Sequence, residues 1–235
     1  MIEAFVTNLG KYNEGELCGE YLKLPATTED VQTLLARIGV DGVLYEETFI
    51  TDYETTVGGL RRRMGENESI DELNYLAALL ADMDDRDRET FEAAISLDDA
   101  GSVQEMINIA QNLDCYDYYP GVSDDDDLGR YLIEELDCEE IPERLEGYFD
   151  YEAYGRDFSF NDGGEFTDNG YVIRGYGSFT EYYSGRDDIP DEYRIFTYPD
   201  PPELMPIRDQ LAMYGSMVSA RAAADRPAHT REDRV

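Results

Sequence analysis

The chain sets 54 Asp plus Glu against 19 Lys plus Arg over 235 residues, a formal net charge of -35. A field that strong repels nucleic acid and anionic lipid, so it excludes a direct DNA or RNA binder and a membrane-surface protein and selects basic macromolecular partners. With 42% hydrophobic residues, 19 Tyr and 9 Phe, it equally excludes an acidic disordered chain, which would be poor in aromatics.

No apolar run approaches the roughly 20 residues of a membrane span, and MIEAFVTNLG lacks the basic start and long apolar stretch of a signal peptide, so a cytoplasmic chain is expected. Cys18, Cys115 and Cys138 make no close pair, which points to reduced thiols rather than a disulfide framework or zinc knuckle.

Residues 1–60 open with the strand candidate IEAFVTN, followed by GELCGEYLKLP, a helical TEDVQTLLARIGV and the β-rich GVLYEETFITDYE. This vocabulary predicts an N-terminal α+β module, a small antiparallel sheet carrying a helix. Residues 61–112 change character. Ser69 followed by Glu72 is a capping-box signature ahead of Leu73, Leu76, Ala77 and Leu80, and Ser102 followed by Glu105 repeats it ahead of Met106, Ile109 and Ala110. With DDRDRETFEAAISL between them, the segment predicts a central bundle of three short helices.

Residues 113–199 are expected to form a mixed acidic α+β module. Within them, residues 113–168 hold 19 acids and only 3 bases, Arg130, Arg144 and Arg156. Leu128, Tyr131, Leu132 and Leu136 lie at helical spacing after Ser123, and Asp124 to Asp127 suit the positive end of that helix. Pro142 fits the first turn of another short helix, and the Asn-Gly step in EFTDNGYVIRGYG signals a hairpin. Residues 200–235 form a C-terminal extension with 6 acids against 5 bases. Leu204, Ile207, Leu211, Tyr214 and Val218 make one helix face there, which docks on its own domain, extends a dimer contact or meets another partner. The end, ADRPAHTREDRV, reads as a polar, loose tail. The fold class is therefore α+β.

The only histidine is His229, in that tail, so no His-based triad or buried His cluster is available elsewhere. HExxH, GxxxxGK[ST] and GxSxG are all missing. One alternative function centres on residues 124–157. Asp124, Asp126, Gly129 and Glu135 occupy positions one, three, six and twelve of an EF-hand-like loop. Leu128, however, stands at the fifth position, where an oxygen ligand is required. Paired carboxylates of a hydrolase are the other form of this reading, and the abundance of acids makes that signal uninformative.

The acids carry more as a pattern. Helix neighbours three or four residues apart lie about 5–6 Å from each other, close to the spacing of phosphates along one DNA strand. Short acidic helices therefore present phosphate-like rows of charge. The run LGRYLIEELDCEEIPERLEGYFDYEAYGRDF, residues 128–158, resembles the antirestriction motif of the ArdA family, DNA-mimic proteins carried by conjugative plasmids and transposons. IDELNYLAALL, residues 70–80, is similar to that family's central module, and the resemblance extends from residue 1 to about 198 in order and character.

The resemblance implies an elongated three-module protein that dimerises and occupies the DNA-binding groove of type I restriction-modification enzymes. Restriction, and modification with it, would be blocked on the incoming element, with no catalytic residue, metal or cofactor. The motif acids are Glu134, Glu135, Asp137, Glu139, Glu140, Glu143, Glu146, Asp150, Glu152 and Asp157, joined by the run Asp124, Asp125, Asp126 and Asp127. Tyr148, Phe149, Tyr151 and Tyr154 are scaffold or dimer-contact candidates on the same resemblance.

Overall fold

The opening apolar alternation builds a three-stranded sheet. In the computed structural model, which describes residues 2–199, β1 (Ile2–Asn8) runs into a short helix α1 (Leu9–Asn13) and pairs antiparallel with β2 (Gly19–Leu24) on one side. Helix α2 (Thr28–Ile38) follows, and β3 (Thr48–Thr55) closes the sheet on the other side of β1, giving the order β2-β1-β3. Ile2, Ala4 and Val6 join Val31, Leu34, Leu35 and Ile38 of α2 in one buried cluster. A complete capping box starts α2, with Thr27 and Asp30 bonding each other's backbone. The stripe at residues 204–218 and His229 lie outside the described residues.

Three helices follow as expected: α3 (Ile70–Asp82), α4 (Asp85–Leu97) and α5 (Val103–Ala110). Ser69, Asp84 and Ser102 cap them, each accepting from the backbone three residues on. The two expected capping boxes are only half formed. Glu105 reaches back past its cap to the Gly101 amide at 2.7 Å. Glu72 turns away altogether, accepting from the Tyr183 hydroxyl at 2.8 Å and from Arg186 at 2.9 Å, because burial makes these partners stronger than an exposed amide.

The last part contains β4 (Tyr116–Pro120), α6 (Asp125–Arg130), α7 (Glu143–Glu146), α8 (Tyr151–Asp162), β5 (Glu165–Phe166) and β6 (Gly170–Arg174). The second sheet has the order β4-β6-β5, all antiparallel. The predicted hairpin is β5–β6. Thr167 and Gly170 close it, so Asp168 and Asn169 are its central residues, one position before the Asn-Gly step.

One apolar cluster runs from Ile2 through the three central helices to β4, β6 and Ile195. A second, much smaller one consists of Val122, Leu128, Leu132, Tyr171 and Ile173. After β6 the chain returns over the central helices as an irregular strap, residues 175–199. Asp71 accepts from the Ile195 and Phe196 amides, both at 2.7 Å, and the buried Tyr183 anchors the middle. No helix among the described residues is long and apolar enough to cross a membrane.

Candidate acidic interface

The four aspartates that begin α6 are engaged by their own chain. Asp124 is the N-cap, accepting from the Asp127 amide at 2.9 Å. Asp125 accepts from Ser159 at 3.1 Å, and Asp126 holds Arg130 at 2.7 Å. Asp127 takes the Ser123 hydroxyl at 2.6 Å and its amide at 3.2 Å, and these bonds to the charged form lower its pKa. Asp124 is exposed, while Asp125, Asp126 and Asp127 are only partly so.

These residues form a helix and not a cation loop. Leu128, at the position where a calcium loop needs an oxygen, is completely buried in the small core. Among the described residues no group of three or more His, Cys, Asp or Glu side chains is placed to hold a metal ion.

Helix α6 widens into a π-type turn, Tyr131–Glu135, which carries Leu132 and Ile133 inward and Glu134 and Glu135 outward. The expected apolar stripe therefore breaks at its last member. Leu136 lies past the wide turn and is 44% exposed, because the extra residue per turn rotates it off the buried face. Asp137 then adopts a left-handed conformation, φ 50°, and turns the chain out of the helix.

Beyond that turn the acids crowd outward. Asp137, Glu139, Glu140, Glu143, Glu146, Asp150, Glu152 and Asp157 are all exposed, as are Glu134 and Glu135. Asp150 has a second task as the N-cap of α8, accepting from the Ala153 amide at 3.0 Å. Glu152 lies 3.9 Å from Arg156 in a solvent-exposed pair of small energetic weight.

The aromatics divide by burial. Tyr151 is buried, Phe149 and Tyr154 are half-buried, and Tyr148 is 88% exposed. The Phe149 ring meets Tyr151 edge-on at 5.0 Å and Tyr154 at 5.6 Å, while Arg130 lies 4.5 Å from the Tyr151 ring centre. Burial, with Cys138 and Glu139 nearby, pushes the Tyr154 hydroxyl up.

Two glycines set the geometry of this region: Gly155, not singled out from the sequence, and Gly129, which the sequence offered only as position six of a cation loop. Helices α6 and α8 cross with Gly129 facing Gly155, so close that a Cβ on Gly155 would overlap the Asp125 carbonyl oxygen and lie 2.7 Å from the Gly129 nitrogen. A Cβ on Gly129 would in turn overlap the Tyr151 carbonyl oxygen. The signal was available, since a glycine inside a helical pattern is costly unless close packing requires it.

Among the described residues nine arginines make ion pairs. Of the chain's 54 acids only 6 lie beyond residue 199, so most carboxylates in the described part have no cationic partner. Such a surface carries a strong negative field over a wide area. The family described as Antirestriction protein (ArdA) matches residues 4–173 of the chain. No curated protein matches it.

Proposed function

The chain belongs to the ArdA antirestriction protein family, and we propose that it works as a non-enzymatic DNA mimic that occupies the DNA-binding groove of type I restriction-modification enzymes. In this reading it acts as a homodimer in the bacterial cytoplasm and blocks both cleavage and methylation of incoming mobile DNA. The observation that carries it is the outward display of ten motif acids, Glu134 to Asp157, on a scaffold anchored inward by Leu128, Leu132, Ile133 and Tyr151. A groove built to hold phosphates offers Lys and Arg at repeated spacing, and a rigid display of carboxylates meets them without the ordering cost of a flexible acidic tail.

The test is transfer of unmodified plasmid into a type I restricting host. Expression of this chain is expected to raise transfer to near the level of a host lacking the restriction enzyme. Transfer that stays fully restricted while the chain accumulates folded would contradict the reading.

A further inference from the structure

The strap follows the family-matched part of the chain and carries a groove of its own. Asn108 on α5 and Asn112 just past the end of that helix, both buried, grip the strap backbone from below. Asn112 accepts from the Thr180 amide and donates to its carbonyl, both at 2.9 Å. Asn108 does the same for Tyr183, at 3.0 Å and 2.7 Å. Four bonds to two residues fix this stretch of backbone before any partner arrives. Phe179 is left 41% exposed and Tyr182 59% exposed on it.

Between this stretch and α5 lies an open groove of about 540 Å³. Ala100 and Ile109 supply apolar lining, Phe179 an aromatic ring, and Glu105 and Glu181 carboxylates. Asp98 and Arg174 also border the groove and neutralise each other in an ion pair at 2.6 Å, Asp98 accepting from the Tyr116 hydroxyl as well. Glu105 uses Oε2 for the Gly101 amide, and Glu181 uses Oε1 for Gln104 at 3.4 Å. Glu105 Oε1 and Glu181 Oε2 have no partner among the described residues.

We propose that this groove takes an arginine side chain of the basic partner, as an anchor separate from the motif acids. Resting on the mimic reading above, the inference names what the partner inserts there. An aromatic face, two open carboxylate oxygens and an apolar lining match a guanidinium in three ways. The flat cation lies over the ring, its N–H fork donates to the carboxylates, and the methylene stem covers Ala100 and Ile109. Anions are repelled by the same two glutamates. The clamped backbone means that little order must be gained on binding.

The experiment measures binding of the full chain to a type I methyltransferase core for wild type, Phe179→Ala, Phe179→Leu and the Glu105→Gln, Glu181→Gln double variant, with thermal melts alongside. Each variant is expected to bind roughly 5- to 30-fold more weakly, the range of a desolvated cation–π contact. Melting should change little, since Phe179 is half exposed. Wild-type binding by Phe179→Leu would show that only apolar bulk is used and overturn the arginine site. Unchanged binding by all three variants beside a tightly binding wild type would remove the site and leave the mimic reading intact. Failure of wild type itself to bind would remove that reading, and the site with it.

Discussion

Replacing Glu134, Glu135, Glu139, Glu140 and Glu143 together by Gln is expected to remove most inhibition of a type I enzyme, while Glu135→Gln alone leaves most of it. All five side chains are exposed, on the π-type turn, the following loop and the start of α7. Each exposed ionic contact contributes about 0–1 kcal/mol, so one loss costs less than about fivefold in affinity. Five losses at about half a kcal/mol each amount to roughly 70-fold. The folded state should not suffer, because removing like charges from so acidic a surface relieves self-repulsion. Titration against a methyltransferase core, with melting curves for each variant, checks both parts. A single Glu135→Gln change that abolishes inhibition in a folded chain would return attention to a catalytic or metal site.

The largest expected effect on stability comes from a methyl group. Gly155→Ala places a Cβ against the Asp125 carbonyl and the Gly129 nitrogen, backbone atoms that cannot rotate away. Helices α6 and α8 must then separate over a core of only five buried residues. Overpacking of this kind costs about 1–3 kcal/mol or more, which for a chain of this size lowers melting by about 2–4 °C per kcal/mol. Gly147→Ala is the control within the same motif. Nothing lies within 4 Å of a Cβ there, and its φ is -70°, open to any residue. It should be neutral, or stabilise by about 0.4–1 kcal/mol through the unfolded chain. Equal melting temperatures for the two variants would refute the crossing as the scaffold of the acidic surface.

What the sequence revealed of this scaffold followed local rules. The starts of α3 and α5 were legible at Ser69 and Ser102 because a cap depends on residues three apart. The outward direction of the glutamates was legible because an unpaired carboxylate is too costly to bury. What escaped depends on partners far away in the chain. Glu72 looked like the second half of a capping box, yet its partners are Tyr183 and Arg186, more than a hundred residues on. The strap has no periodicity to betray it, and only Asn108, an amide among the buried apolar residues of α5, and Asn112 just past its end hinted that a backbone must lie there. Leu136 was misplaced because a π-type turn shifts the phase of everything after it, and no residue type announces such a turn. The strand β4 in YDYYP was missed for a related reason. Its pairing with β6 lies about fifty residues away, and three tyrosines around an Asp and a Pro carry no clear alternation.

The electrostatic account makes opposite demands on binding and folding, and salt separates them. Competition between the chain and duplex DNA for a type I methyltransferase core should be measured from about 50 to about 500 mM NaCl, with the melting temperature followed over the same range. Across that range a contact surface of several unit charges is expected to lose more than about tenfold in affinity. Melting should rise at the same time, because the salt that weakens the partner's attraction also screens the self-repulsion of a chain with net charge -35. Affinity that holds constant across the salt range, with or without a change in melting, would contradict charge mimicry as the basis of inhibition.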